Sequence, residues 1–302
     1  MIFELTVLGC NSAVPMHDRH PSAQVLNHNH KPYLIDCGES TQFQLRKYKV
    51  KYSKIDHIFI SHLHGDHYFG LIALISSYHL MGRQNALYIY GPQALEQIIC
   101  IQLEASKTRL RFPIFFIKTT NAITKIYENK EIEVYTIPLL HRITTTGFLF
   151  REKTGERHIN KEKIKNIELR PAHFKALKNG EDIIVGQKTY KNETLTSAPT
   201  PTRSYAYCSD TAFNPEMIKQ LKNVDLLYHE ATFDKSNQQR AADTLHSTTK
   251  DAGTIASKAG VGQLIIGHYS SRYKELEPLR SETCQFFANT LLAQEGKTYP
   301  IG

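Results

Sequence analysis

The stretch SHLHGDH, Ser61 to His67, sets three imidazoles and one carboxylate within six positions, directly behind the apolar run HIFI. Imidazole nitrogen and carboxylate oxygen suit zinc, and a catalytic zinc keeps one position open for water. His62 and His64 alternate and can face one ion together, while Asp66 and His67 can face a second. Two-metal hydrolases hold their ions about 3.5–4 Å apart. A turn of this kind demands a fold that delivers further ligands to it from other strand ends.

Candidates for those ligands follow apolar runs directly: His141 after VYTIPLL, Asp210 after YAYCS and His268 after LIIG. Each taken singly reads equally well as a capped strand end or a satisfied buried histidine. As a set with the turn they are seven residues, and burying seven such groups without shared partners would be costly.

The segments FELTVLG, PYLIDCG, HIFISH, LYIYGP, IEVYTIPL, TTGFLF, SYAYCSD, DLLYHE and QLIIGH read as strands. Helical patterns lie at 39–48, 70–81, 93–106, 247–259 and 275–293. The alternation predicts an α/β sandwich with helices covering sheets and a site at the strand ends. Residues 151–203 break the rhythm. They are lysine-rich, carry one weak helical stretch at 161–169, and end in TSAPTPTR, whose prolines disfavour regular structure. The spacing predicts an insertion protruding from the body; a solvated surface excursion without function is the alternative.

Formal charge is +8, and the 53 residues of that insertion hold twelve Lys/Arg against seven Asp/Glu, five of the net charges. Polyanion partners are therefore plausible. The five cysteines are scattered, which argues against a disulfide framework or a thiolate zinc site and fits a reducing cytoplasm. The start, MIFELTVLGC, lacks a basic leader region, and no apolar run approaches the roughly 18 residues of a membrane span.

His62-Leu63-His64-Gly65-Asp66-His67 resembles the H-x-H-x-D-H hallmark of the metallo-β-lactamase superfamily, whose members hydrolyse varied esters and lactams. DCGESTQ (36–42), SDT (209–211), HEATF (229–233) and HSTT (246–249) narrow the resemblance to tRNase Z, the endoribonuclease that trims precursor-tRNA 3′ ends. The resemblance implies a metallo-β-lactamase-like αββα sandwich over residues 1–302 with an inserted protruding arm at 151–203. It implies two zinc ions per subunit, with His62, His64 and His141 on one, Asp66, His67 and His268 on the other, and Asp210 bridging. Asp36 would support a ligand histidine from behind, as carboxylates commonly do; a strand-end turn is its alternative.

The attacking group is then water, with Asp66 both ligating and accepting its proton. His246 would protonate the leaving 3′-oxygen and Glu230 would hold it, as a carboxylate orients an imidazole in catalytic triads. Otherwise His246 is a polar residue at a helix start, with Ser247 as cap. His229 receives no assignment. The resemblance further implies a precursor-tRNA substrate, a homodimer, a cytoplasmic location, and neither a membrane association nor an organic cofactor.

Two stretches depart from the family pattern. LRPAHFKALKNG keeps Pro171, Lys175 and Lys178 but has Ala172 and His173 where glycine and proline are expected. PMHDRH (15–20) keeps only Pro15 and Arg19 of a loop tied to the RNA 3′ region. Lys175, Lys178 and Arg19 are thus the candidate RNA contacts; RKYKVKYSK (46–54) is either a further contact or a solvated helix end. Two other functions compete: a small-molecule phosphodiesterase of the same superfamily, and an RNA-binding protein with a silent metal site.

Overall fold

The structure, a computed structural model, describes residues 2–302. Period-2 and continuous apolar runs become strands of two seven-stranded sheets. In the first, the order is Thr298–Pro300, Phe3–Gly9, Ala23–His28, Lys31–Cys37, His57–Phe59, Leu87–Gly91, Ile114–Lys118. The second runs Thr290–Leu292, Gln263–Gly267, Leu226–Glu230, Ser204–Cys208, Thr145–Glu152, Ile132–Leu139, Lys125–Glu128.

The sheets meet through aromatic rings. Phe59 of the first packs edge-on against Phe148 and Phe150 of the second, with centroids 5.4 and 5.2 Å apart. Apolar residues of Gly70–Leu80 (Leu71, Leu74, Ile75, Tyr78) join Leu34, Ile58 and Ile89 in a buried cluster, so this helix covers the outer face of the first sheet. Thr249–Ala259 and Glu277–Cys284 pack against the second. The result is the expected αββα sandwich.

Topology decides where the site falls. Four strands of each sheet run parallel: Lys31–Cys37, His57–Phe59, Leu87–Gly91 and Ile114–Lys118 in one, and Ser204–Cys208, Leu226–Glu230, Gln263–Gly267 and Thr290–Leu292 in the other. Sites in such sheets form beyond the carboxyl ends of the strands. Asp36, Ser61 and His62 lie at such ends in the first sheet, Asp210, Glu230 and His268 in the second.

The described residues cluster as two compact units: one with the residues up to Tyr127, Val134–Phe150 and Arg203–Gly302, the other with Glu128–Glu133 and Arg151–Thr202. The second unit is more regular than its sequence predicts. The helical stretch at 161–169 shortens to Lys161–Ile164, and a helix at Pro171–Lys178 follows, with proline tolerated in a first turn whose N–H groups have no helical partner. Leu177, Ile183 and Leu195 are its buried core, lined by Ile159, Ile164, Ile167 and Leu169.

At the other end of the chain the helix expected over 275–293 spans only Glu277–Cys284. Thr290–Leu292 instead pairs parallel with Gln263–Gly267, Leu264 opposite Thr290. An apolar run beside an open sheet edge satisfies its backbone groups there better than a helix end would.

Candidate active site

Two glycines let the histidine turn settle on the strand end. A Cβ on Gly38 would stand 2.4 Å from the Asp66 carbonyl oxygen, and one on Gly70 would stand 2.1 Å from that of Gly38. Glycine is required where backbones approach this closely.

The seven candidate ligands converge as two clusters that share Asp210. His62 Nε2 and His141 Nε2 lie 3.0 and 3.2 Å from His64 Nδ1, and 3.5 and 3.7 Å from Asp210 Oδ2. On the other side, His67 Nε2 and His268 Nε2 each lie 3.1 Å from Asp210 Oδ1 and 3.4 Å from Asp66 Oδ2. The two oxygens of one carboxylate thus face different clusters. The candidate ligand atoms of His62, His64, His141 and Asp210 all lie within 4.8 Å of one another, as do those of Asp66, His67 and His268, and those of Asp210, Glu230, His246 and His268.

These groups fit metal ions. Metal–ligand bonds of about 2.0–2.2 Å put tetrahedral ligand atoms about 3.3–3.6 Å apart, close to the separations found. His67 Nε2 is buried, 3.1 Å from a carboxylate oxygen, and still makes no hydrogen bond, so the ring nitrogen does not point at that oxygen. Burial, together with the neighbouring imidazoles, holds His64 down to about 4, and burial lowers His62 and His141 as well, leaving neutral nitrogens suited to ligation. Burial alone would lower His67 too, but the carboxylates of Asp210, Asp66 and Asp36 outweigh it and raise it well above the usual range. Against their own burial, neighbouring imidazoles hold Asp66 and Asp210 well below the usual carboxylate range. The site is built to keep a positive charge between its carboxylates.

The remaining ring nitrogens are tied down. His67 Nδ1 lies 2.7 Å from Asp36 Oδ2, and Asp36 also accepts from Ser61 N (2.7 Å), Ser61 Oγ (2.9 Å) and Tyr207 OH (2.7 Å). Ser61 Oγ stands 2.9 Å from His62 Nδ1. His141 Nδ1 donates to the Leu245 carbonyl at 2.9 Å, and His268 Nδ1 meets Thr232 Oγ1 at 2.9 Å. Sequence reasoning missed Ser61, Tyr207 and Thr232; each lies within two residues of a residue or motif it singled out.

Glu230 is fully buried and accepts four hydrogen bonds: from Thr211 N and His246 Nδ1 on Oε1, and from Thr232 Oγ1 and Ser247 N on Oε2. Both its oxygens are committed, which suits a support for His246 better than a ligand. The alternative for His246 assigned the helix cap to Ser247, but Thr248 caps Thr249–Ala259 in a capping box with Asp251, while Ser247 Oγ donates to the Thr211 carbonyl. His229 is buried, donates from Nδ1 to the Glu230 carbonyl at 2.7 Å, and joins neither cluster.

Asp36, Asp210 and His268 adopt left-handed backbone angles (φ 54°, 55° and 57°), as does Leu245 beside His246 (φ 54°). Each costs roughly 1 kcal/mol or more for a side chain other than glycine. At these strand ends the left-handed turn accompanies a side chain directed at the site, although left-handed residues such as Asn29, Lys107 and Asn223 also occur elsewhere in the fold.

A cleft of about 450 Å³ opens over the clusters, lined by His64, Asp66, His141, Asp210, His246 and His268 together with Phe69, Arg142 and the 12–15 loop. Arg19 stands behind that loop rather than in the cleft lining. Its guanidinium donates to Asn11 Oδ1 and to the carbonyls of Tyr273 and Lys274. Lys175 and Lys178 are exposed on the second unit, Lys178 paired with Glu156 at 2.9 Å.

A family model described as Anti-Pycsar protein Apyc1 matches residues 3–170. Ribonuclease Z of Bacteroides fragilis is 44% identical over 295 residues, covering 97% of both chains. That of Bacteroides thetaiotaomicron is 43% identical over 301 residues, covering 99% of this chain and 95% of its own. Among solved structures, human tRNase Z, short form, superposes with a TM-score of 0.70 at 25% identity over 98% of each chain. The metallo-β-lactamase fold protein YhfI of Bacillus subtilis superposes at 0.69 with 19% identity over 99% of this chain and 100% of its own, a likeness of fold. Near-equal lengths and identity spread over almost the whole chain make this protein a member of the ribonuclease Z family and, through its first 170 residues, of the family described as Anti-Pycsar protein Apyc1.

Proposed function

We propose that the chain is a metal-dependent hydrolase that cleaves precursor tRNA at its 3′ end, leaving a 3′-hydroxyl on the tRNA and a 5′-phosphate on the trailer. The observation that carries this reading is His246, held from behind by buried Glu230, opening onto the same cleft as two donor clusters that face the two oxygens of Asp210. We assign two zinc ions per subunit, one to His62, His64 and His141, the other to Asp66, His67 and His268, with Asp210 between them. Bound there, zinc supplies Lewis acidity toward water and the phosphodiester.

The protein's own groups do the rest. A water attacks phosphorus, and Asp66, whose Oδ2 already accepts from Ala13 N at 2.8 Å, orients it and takes its proton. The bond from phosphorus to the tRNA 3′-oxygen breaks. That oxygen takes the proton from His246 Nε2, because Nδ1 is engaged with Glu230. Asp36 and Ser61 keep His67 and His62 in register.

The second unit, with exposed Lys175 and Lys178, is assigned to tRNA binding through phosphate contacts. Phe43, Leu80 and Met81, on or just beyond two neighbouring helices, expose 73%, 81% and 53% of their surface, apolar area that supports a homodimer. No helix among the described residues is long and apolar enough to cross a membrane; a cytoplasmic location is the reading for a tRNA-processing enzyme. Incubation of the protein with end-labelled precursor tRNA tests the proposal. A new 3′ end beside the discriminator base and a trailer bearing a 5′-phosphate are expected, and absence of cleavage with zinc or manganese added refutes it.

A further inference from the structure

The two sheets offer their ligands separately: His62, His64, Asp66 and His67 follow a strand of the first, while Asp210 and His268 follow strands of the second. Something must fix the spacing between them to a fraction of an ångström. Ser204–Cys208 sends Tyr205 and Tyr207 from one face, since residues two apart in a strand share a face. Both rings are fully buried, and both hydroxyls cross to the first sheet. Tyr205 donates to Gln24 Oε1, whereas Tyr207 donates to Asp36 Oδ2 at 2.7 Å.

Asp36 is the hub of the first sheet's ligands. The oxygen that accepts from Tyr207 also meets His67 Nδ1 and Ser61 Oγ, and Ser61 Oγ reaches His62 Nδ1. Asp210 lies three residues beyond Tyr207 on the same chain segment. One hydroxyl therefore links the strand that carries Asp210 to the carboxylate that orients His67, and His67 Nε2 and Asp210 Oδ1 face each other at 3.1 Å. Thr146 N of the second sheet also reaches the Ser61 carbonyl at 3.1 Å, but of these two links only the Tyr207 hydroxyl lands on the carboxylate that orients His67.

We infer that Tyr207 is a positioning residue: its hydroxyl sets the distance and angle between the ligands of the two sheets, and so tunes metal affinity without touching metal or substrate. The inference rests on the reading of the two clusters as metal sites. Outer partners of this kind are worth about 10–100-fold in metal affinity.

The test compares Tyr207→Phe with Tyr205→Phe. Each removes one buried hydroxyl that joins the sheets and keeps the ring. Zinc affinity is measured by competition with a chromophoric chelator on metal-free protein, and thermal unfolding is followed on the same samples. Expected is a comparable loss of melting temperature in both variants, with a 10–100-fold loss of zinc affinity in Tyr207→Phe alone. In an Asp36→Asn background, Tyr207→Phe should add little further loss, because the two act through one another. Equal zinc affinity in Tyr207→Phe and wild type, or equal losses in both tyrosine variants, overturns the inference. Weak zinc binding by wild type itself overturns the metal reading instead.

Discussion

His246 Nδ1 stands 2.9 Å from Glu230 Oε1, a carboxylate with no exposure of its own. Burial disfavours the imidazolium, but that carboxylate and its hydrogen bond outweigh it and raise His246 to about 9. The folded-state value lies above the ordinary 6.5, so the pair's contribution to stability is fully present below 6.5 and is lost as pH rises through about 9. In metal-free protein the ring protons of His246 should titrate near 9 by NMR. Glu230→Gln should lower the midpoint toward 6.5, since only the weaker pull of the Asp210 carboxylate then opposes burial. A wild-type midpoint near 6.5 would show that the pair carries no charge.

A proton held on His246 through neutrality is what a leaving 3′-oxygen requires. His246→Ala should keep zinc content and RNA affinity and lower single-turnover cleavage by about 10²–10⁴-fold. A substrate with sulfur at the leaving position departs without that proton and should recover much of the loss. No recovery would make His246 a structural residue.

The convergence of the candidate ligands was legible because strand ends leave a local signature: an apolar run that stops at a histidine or aspartate. His141, Asp210 and His268 all follow such runs, and the fold brings all three to the histidine turn. Tyr207 was not legible. In SYAYCSD it reads as one more apolar strand residue, and only the stacking of the two sheets gives its hydroxyl a partner 171 positions away. Arg19 reads in sequence as an RNA contact in a loop near the cleft; the fold gives three of its five N–H donors to Asn11 and to the backbone of 273–274, a role that nothing local in the sequence signals. Thr290–Leu292 was hidden because a short apolar run does not distinguish helix from edge strand.

Asp210 offers Oδ2 to one cluster and Oδ1 to the other. With two ions bound as proposed, its removal would leave two cations facing each other without the shared anion. Asp210→Ala should therefore lose metal from both positions, read as zinc per chain by elemental analysis. Two zinc retained per chain would show that Asp210 serves neither.

The exposed side chains of Phe43, Leu80 and Met81 give the proposed dimer a specific test. A glutamate at an exposed position of a monomer surface is nearly neutral, within about 0.5 kcal/mol. Leu80→Glu should shift sedimentation from dimer to monomer and lower melting temperature only by what the lost association contributes, so that the two proteins converge as the chain concentration falls. A dimer that survives Leu80→Glu with Phe43→Glu assembles through another face.

The second unit separates an RNA processor from a small-molecule phosphodiesterase. An element that grips phosphates without touching the scissile bond contributes binding energy for a large RNA and almost none for a small diester. All seven candidate ligands, with Glu230 and His246, lie outside residues 153–201. Replacing 153–201 with a short Gly/Ser linker should thus leave zinc content and hydrolysis of bis(p-nitrophenyl) phosphate intact. Precursor-tRNA cleavage should fall chiefly through a raised KM. The residual activity should also depend less steeply on salt, since every duplex phosphate that is no longer neutralised takes about 0.9 off the slope of log K against log salt. Loss of both activities with folding and zinc intact would give the unit a lid or subunit-contact role and would favour the small diester as substrate.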